Sequence, residues 1–520
     1  MHQSIRHLKH RLSLATGLVI AASLLAACGG GESVDVDGSS DDGGGGGGGG
    51  TLQAAIGGEP DQLDPHLTTS YFSFQVLENV YDTLVEPDEN LEMQPSLASE
   101  WETSEDQLTW TFTIREGVKF SDGSDLTSED IAYTYNRIID EELQPAYRLA
   151  GVKSIEAPDP TTLVINLDAP QPNLLSALGG YKGMAIVSKE NVESGDVKNN
   201  PVGSGPFVLE DWSNGSSIQL ARNDEYWGEA PALDGVEFTF VKDPTVALQN
   251  LQSGQVHWTD NLPPQQVDQL ADSEDVVVES APSQDYWYMA MNHEREPFDN
   301  PDVRRAIALA LDREDIVKVA KFGNATVNQT AIPETSAWYH EYAPFEQDTD
   351  EAQQLLEDAG VDGLEMDLMV TSEYPETVSA AQVIASQLDE VGITVEIREL
   401  EFPAWLDEQG KGNFDSFMLG WLGNIDPDEF YYSQHHSKGS NNYQGYSNPE
   451  VDQMLDEART ETDEGARKEL YGQIAEQIVD DVSYLYLYNP DVAQGWAPEV
   501  SGYEVRSDRA IRFRSTSLDE

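Results

Sequence analysis

The chain has 520 residues, of which 95 are acidic and 29 are basic, so its formal net charge is −66. This charge argues against binding to nucleic acid, whose phosphates attract basic proteins, and against binding of the folded part to anionic lipids. The acidic residues are spread among periodic apolar segments, which indicates a folded rather than a disordered chain. The length exceeds that of one ordinary hydrophobic core and predicts two or more lobes. The large net charge predicts adaptation to high salt, which screens repulsion between the carboxylates.

The N-terminal region has the pattern of a lipoprotein signal. Basic residues precede an apolar run at 12–27, which is too short to span a bilayer core of about 30 Å comfortably and leads directly to Cys28. We therefore predict a cleaved signal peptide at 1–27 and lipidation of Cys28, with a retained anchor as the alternative. Cys28 is the only cysteine, which excludes an intramolecular disulfide and a zinc–cysteine cluster. The glycine- and aspartate-rich residues 28–50 are predicted to form a flexible tether.

The body of the chain opens with a predicted strand at 51–56. Thr69 and Ser70 follow, and they precede apolar residues at helical spacing over 74–84. Hydroxyl side chains are preferred at helix N-caps, so Thr69 and Ser70 are candidate caps of this helix.

The next segment is predicted to contain a hairpin followed by a helix. Apolar residues alternate with threonines over 109–114, which is typical of a strand with one buried face. A glycine turn follows, so residues 118–120 are predicted to form a second short strand. Thr127 and Asp130 have the spacing of a capping box, which predicts a helix beginning at Ser128.

Strands and helices are predicted to alternate through the remaining sequence. Alternating or continuous apolar runs predict strands at 162–167, 236–240 and 482–488. Asn300 and Asn448 are each followed by proline and an acidic residue, which is the pattern of a helix N-cap. This mixed order indicates α/β lobes.

Motifs for catalysis or metal binding are absent from the sequence. There is no H-E-x-x-H and no G-x-S-x-G, and the glycines of 200–207 lack the lysine and the following helix of a phosphate loop. His435 and His436 are expected in a solvated loop rather than at a metal, because no third histidine or cysteine lies nearby at ligand spacing. We therefore expect no enzyme activity, no cofactor and no metal.

Three ordered motifs carry a resemblance to a known family. They are P-x-L-A-x-x-W-E from Pro95, W-T-F-x-I-R-x-G-V-K-F-x-D-G from Trp110 and L-T-x-E-D-I from Leu126. Together they closely resemble the family 5 extracellular solute-binding proteins, which are the receptors of peptide and nickel importers of the ABC class. The resemblance extends over nearly all of residues 51–520.

The resemblance implies an α/β fold of the two-lobed periplasmic-binding-protein type II, with a hinge and a small domain inserted in the first lobe. It places lobe I at 51–94, 205–288 and 485–520, the inserted domain at 95–204, and lobe II at 289–484. Ligand would bind in the cleft between the lobes.

The resemblance also suggests which residues contact the ligand. Thr69, Ser70 and Tyr71 lie where family members contact ligand from the first lobe, and the capping interpretation of Thr69 and Ser70 is compatible with this role. Trp421 lies in a stretch that resembles the family's ligand-proximal loop, although a tryptophan there is also suited to a core.

Two positions depart from the dipeptide-binding members. Asn424 stands where an aspartate holds the ligand's α-ammonium group, and an amide lacks the charge that strengthens such a bond. Asp426 is a candidate substitute, or else a helix cap. Glu373 stands where an arginine binds the ligand's carboxylate. Because of these departures, the ligand is expected to be a longer peptide, a cationic ligand or another small solute rather than a free dipeptide.

The resemblance implies an extracytoplasmic receptor, anchored by lipidated Cys28, that captures peptides and delivers them to an ABC permease and its ATPase. The expected partners are a peptide or other small solute, the permease complex and the membrane through the lipid anchor, and the expected state is a monomer. A nickel-chelate or oligosaccharide receptor is the alternative within the family. A surface-anchored hydrolase and a sensor coupled to a signalling protein are the alternatives outside it.

Overall fold

A computed structural model describes residues 49–271 and 273–519. The predicted signal peptide, Cys28 and all but the last two residues of the predicted tether lie outside these ranges. Within them, no helix combines the length and the apolar character that a membrane crossing requires.

The strands are numbered in chain order. They are β1 Thr51–Ile56, β2 Val85–Pro87, β3 Met93–Pro95, β4 Ala98–Thr103, β5 Thr109–Ile114, β6 Val152–Asp159, β7 Thr162–Leu167, β8 Phe207–Ser213, β9 Ser217–Arg222, β10 Gly235–Phe240, β11 Trp258–Thr259, β12 Val277–Pro282, β13 Tyr286–Met291, β14 Ala325–Val327, β15 Glu365–Thr371, β16 Thr394–Leu400, β17 Ser416–Trp421, β18 Leu485–Trp496, β19 Val500–Ser501 and β20 Ser517–Leu518.

The helices are interspersed with these strands, and two short 3-10 helices lie at Gln144–Leu149 and Pro264–Gln266. The α-helices are α1 Tyr71–Leu77, α2 Ser128–Asp140, α3 Leu174–Gly179, α4 Tyr181–Met184, α5 Lys189–Ser194, α6 Pro244–Gln252, α7 Val267–Leu270, α8 Pro301–Ala310, α9 Arg313–Ala320, α10 Thr349–Asp358, α11 Pro375–Asp389, α12 Phe402–Gly410, α13 Pro427–His435, α14 Pro449–Ala458 and α15 Glu464–Asp480.

A large mixed sheet runs through both lobes. Its strand order is β16-β15-β17-β13-β18-β11-β1-β10-β9-β8, with β12 and β14 also paired to β18. The long strand β18 pairs with β13 near Tyr488 and with β11 at Trp496. Strand β18 therefore joins two parts of the sheet. One part is formed by β13 to β17, and the other contains β1 and β8 to β11.

Within residues 49–271 and 273–519, three hydrophobic cores are built on the sheets. One lies within 286–488, one combines residues of 52–81, 185–276 and 496–513, and one lies within 84–186. The third core covers a separate four-stranded sheet of order β4-β5-β7-β6. The architecture is the expected mixed α/β type, while the segment boundaries proposed for the lobes stay predictions.

The local patterns of the early segment are largely confirmed. Strand β5 and the start of α2 lie where the sequence predicts them, and Thr127 and Asp130 form the capping box. The hairpin at 118–120 is wrong, because this segment has only an isolated bridge between Lys119 and Asp125. The two edges of β5 are already occupied by β4 and β7, which leaves no room for a further strand.

Asn300 and Asn448 both cap helices as predicted, each accepting a hydrogen bond from the amide two residues later. The strand predicted at 482–488 begins later than expected, at Leu485, and continues to Trp496. Val482 adopts a left-handed φ of 48°, which a strand cannot contain.

Candidate functional site

A cavity of about 730 Å³ lies among the residues that the structure describes. This size falls within the range of ligand pockets in proteins. Segments that are distant in sequence line it, and many of the lining residues are aromatic. The lining includes Tyr71, Tyr147, Trp287, Tyr374, Phe402 and Trp421.

The loop before α1 forms one part of the lining. Thr69 is exposed and lines the cavity together with Tyr71, whose hydroxyl donates to the carbonyl oxygen of Arg509 at 3.4 Å. The Arg509 guanidinium lies 4.7 Å from the centre of the Tyr71 ring. Thr69 and Tyr71 therefore both lie at one edge of the cavity.

Ser70 lies at the N-cap position of α1 but does not line the cavity. Its side chain forms no capping hydrogen bond, so the prediction that a Thr69 or Ser70 hydroxyl caps this helix is wrong. The turn is held instead by Thr68, whose hydroxyl accepts from the Ser70 amide at 3.0 Å and donates to Asp61 at 2.5 Å.

The loop between β17 and α13 forms a second part of the lining. Trp421, at the end of β17, is half-buried and lines the cavity. Gly420 allows close packing here, because a Cβ atom would lie 2.9 Å from the Trp287 ring. Asn424 is buried, lines the cavity and donates its amide to the carbonyl oxygen of Glu429 at 3.3 Å.

Asp426 does not line the cavity. It caps α13, accepting from the Asp428 amide at 2.9 Å. Its two carboxylate oxygens also accept from the Arg467 guanidinium at 2.6 and 2.8 Å. The capping interpretation is therefore confirmed, and the charge of Asp426 is already compensated inside the protein.

Glu373 also lies outside the lining, although its neighbours Tyr374 and Phe402 are part of it. One carboxylate oxygen of Glu373 accepts from the Thr371 hydroxyl at 2.7 Å and from the Phe402 amide at 3.1 Å. These bonds hold the start of α12 against the end of β15. The structure thus brings Thr69, Tyr71, Trp421 and Asn424 to one cavity and places Ser70, Glu373 and Asp426 beside it.

Two basic residues of the lining gave no signal in the sequence. Arg148, in the 3-10 helix Gln144–Leu149, forms a buried ion pair with Glu429 of α13. Lys182 is half-buried and donates to the carbonyl oxygen of Leu422 at 3.0 Å. Burial lowers the pKa of the Lys182 ammonium, and attraction to Asp285 opposes this effect.

Asp285 is a polar junction next to the cavity. This fully buried residue accepts from the Gly423 amide at 2.7 Å and from the Arg509 guanidinium at 3.0 Å. Its carbonyl oxygen accepts from Asn489 at 2.8 Å. Asp285 therefore ties the loop after β17, the C-terminal segment and strand β18 to one point.

Across residues 49–271 and 273–519, no group of three histidine, cysteine or acidic side chains is arranged to hold a metal ion. The expectation that His435 lies in a solvated loop is wrong. His435 is fully buried, and its ring nitrogens lie 2.8 Å from the Ser483 and Tyr486 hydroxyls. Burial lowers the pKa of His435 to about 3, so the ring is neutral.

The chain is similar along almost its whole length to binding proteins of bacteria. The oligopeptide-binding protein OppA of Bacillus subtilis is 30% identical over 529 aligned residues, which cover 92% of this chain and 95% of OppA. The name of OppA states that it binds oligopeptides.

Solved structures match with the same breadth. The periplasmic binding protein DppA of Helicobacter pylori, in complex with the peptide STSA, has a TM-score of 0.84 and 28% identity, covering 91% of this chain and 99% of DppA. AppA of Bacillus subtilis, in complex with a nonapeptide, has a TM-score of 0.82 and 25% identity, covering 91% and 99%. The family model described as bacterial extracellular solute-binding proteins, family 5 Middle, matches residues 92–442. The chain therefore belongs to the family 5 bacterial extracellular solute-binding proteins.

Proposed function

We propose that this protein is the receptor of an ABC importer, which captures peptides in the aromatic cavity and delivers them to a membrane permease and its ATPase. The observation that carries the proposal is the cavity of about 730 Å³, lined from several segments of a fold whose relatives are named for peptide binding. Aromatic walls suit the side chains of peptides, and a few polar groups suit the main chain.

Within this proposal, Thr69, Tyr71, Trp421 and Asn424 contact the peptide. Ser70, Glu373 and Asp426 act indirectly, because their positions support the lining without being part of it. The Asn424 side chain offers the peptide an uncharged hydrogen-bond partner. The site should therefore favour peptides whose binding does not require a carboxylate side chain of the protein at residue 424.

Binding and delivery require movement rather than chemistry. Peptide binding would close the lobes about strands near β13 and β18, and the closed form would present a surface to the permease. We keep the predicted lobe boundaries as part of this proposal. The peptide would leave intact, which separates the receptor from the hydrolase considered for this sequence.

We further propose that the protein works as a monomer outside the cytoplasm, held at the membrane by lipidated Cys28 and the tether that follows. The test is the variant Cys28→Ser expressed in the native host. We expect the variant to be recovered in the medium or periplasm, whereas the unaltered protein should stay with the membrane. Equal membrane recovery of the two proteins would contradict the anchor.

Peptide capture is tested by calorimetric titration of the purified protein at high salt with dipeptides, tetrapeptides and nonapeptides of apolar composition. We expect saturable binding of at least one length class, with one peptide per protein and full recovery of intact peptide afterwards. Cleaved peptide would indicate a hydrolase. Failure of every length class, in protein that melts cooperatively, would contradict the proposed function.

A further inference from the structure

The cavity contains few fully charged side chains. Its acidic and basic lining residues are Glu142, Arg148 and Lys182. Glu142 is exposed to solvent, and Arg148 is compensated by its ion pair with Glu429. Lys182 is thus the lining cation whose charge has to be accounted for.

The contacts of Lys182 leave much of its binding capacity unused. An ammonium group carries three N–H donors. One donates to the carbonyl oxygen of Leu422 at 3.0 Å, and this is the sole hydrogen bond of the side chain among the residues described. Within residues 49–271 and 273–519, no carboxylate forms an ion pair with the Lys182 ammonium. Lys182 is half-buried and burial lowers its pKa, so an acceptor that reaches its remaining donors would stabilise the charged form.

Asp285 is the carboxylate that attracts Lys182 most strongly. Both oxygens of Asp285 are already used. One accepts from the Gly423 amide at 2.7 Å and the other from the Arg509 guanidinium at 3.0 Å. Because Arg509 compensates the charge of Asp285, this carboxylate does not neutralise Lys182.

The other acids that act on Lys182 are also engaged. Asp508 forms an ion pair with Arg506 at 3.0 Å. Glu78 accepts from the Ile511 amide at 2.6 Å, and burial raises the pKa of its carboxyl to about 7. Neither group forms an ion pair with Lys182 in the described structure. Among the described residues, Lys182 therefore lines the cavity with a positive charge that no carboxylate pairs.

We propose that Lys182 binds the carboxylate of the ligand, which makes it a specificity-determining residue for peptides with a free C-terminus. This inference rests on the proposed function and names the chemical group that the cavity selects. The carboxylate would accept from the donors of Lys182 that are free, next to the Leu422 carbonyl. Charge-assisted bonds of this kind are about twice as strong as neutral ones.

The experiment compares matched peptides that differ only in a free C-terminal carboxylate or a C-terminal amide. The full chain is titrated at high salt by calorimetry with each member of the pair. Since a hydrogen bond to a charged group contributes about 1.5–3 kcal/mol, the free acid should bind about 10- to 100-fold more tightly than the amide. The variant Lys182→Met should lose this preference, and Lys182→Arg should keep part of it.

The control is Lys189→Met, which removes a lysine that is exposed and outside the cavity lining. It should retain the full preference of the unaltered protein. Equal affinity of the unaltered protein for the acid and the amide would overturn the role of Lys182, whether or not its variants fold, and would leave peptide capture intact. Binding of neither peptide form would contradict both this inference and the proposed function.

Discussion

The guanidinium of Arg148 and the carboxylate of Glu429 form a buried ion pair between residues that are 281 positions apart in the chain. Arg148 lines the cavity from the 3-10 helix Gln144–Leu149, and Glu429 lies in the first turn of α13. The second oxygen of Glu429 accepts from the Ile425 amide at 2.8 Å. One carboxylate thus fixes the start of α13 and connects it to Arg148 in the cavity lining.

Removing one partner of this pair should be costly. The variant Arg148→Met leaves the buried carboxylate of Glu429 without a counter-ion, which should lower the free energy of unfolding by about 3–5 kcal/mol. The double variant Arg148→Met with Glu429→Gln should recover most of this loss, because no buried charge remains. Denaturant unfolding at constant high salt measures the free energy of unfolding of the single and the double variant.

The matched control for Arg148 is Arg222→Met, which disrupts the more exposed ion pair between Arg222 and Asp234. This change should cost much less than Arg148→Met, because the ion pair of Arg222 is exposed to solvent. If Arg148→Met and the double variant lost the same free energy of unfolding, the unpaired charge of Glu429 would not be the cause of the loss.

Trp421 should contribute directly to ligand binding. The variant Trp421→Ala removes an aromatic wall of the cavity, and we expect peptide affinity to fall by more than about 1 kcal/mol while the protein stays folded. Calorimetry gives the affinity, and a thermal melt monitored by circular dichroism reports the fold. Trp101→Ala is the control, since Trp101 is half-buried on β4 and lies outside the cavity. An affinity unchanged by Trp421→Ala would remove this residue from the site.

Glu78 should make stability depend on pH. Burial raises the pKa of its carboxyl from 4.5 to about 7. Between these values the folded protein holds a proton that the unfolded chain has lost, so raising the pH lowers the free energy of unfolding. The variant Glu78→Gln lacks this proton exchange. Its melting temperature should therefore rise relative to that of the unaltered protein from about pH 5 to about pH 8.

The control for Glu78 is Glu116→Gln, which removes a carboxylate from an exposed position. Its melting temperature should follow that of the unaltered protein over the same pH range at constant salt. A constant difference between Glu78→Gln and the unaltered protein across this range would show that the carboxyl does not exchange a proton on unfolding.

The net charge of −66 predicts that the fold depends on salt. At about 1 M salt the Debye length is about 3 Å, so repulsion between neighbouring carboxylates is screened, whereas dilution restores it. Circular dichroism during dialysis from high to low salt should show loss of structure. A melting temperature that does not change with salt would contradict adaptation to high salt.

Elements defined by neighbouring residues were predictable from the sequence. The capping box of Thr127 and Asp130, the alternation over 109–114 and the proline-containing caps at Asn300 and Asn448 all act within a few positions. Their hydrogen bonds and buried faces are fixed by local geometry, and the structure reproduces them.

Features that depend on distant partners were not predictable in this way. Nothing near Asp426 indicates that Arg467 binds both of its oxygens, and nothing near Arg148 indicates Glu429. The sequence predicted a solvated His435, yet this residue ends α13 and strand β18 brings Tyr486 against it. Long-range pairing in the folded chain determines these charges and burials, and a single sequence carries no local record of it.

The central claim is that this receptor captures peptides, and its most direct test is mass spectrometry of the small molecules released when the protein is denatured after purification from its own host in high salt. We expect peptides with free carboxylates, at close to one per protein. Recovery of a nickel chelate or an oligosaccharide at that occupancy would contradict the claim.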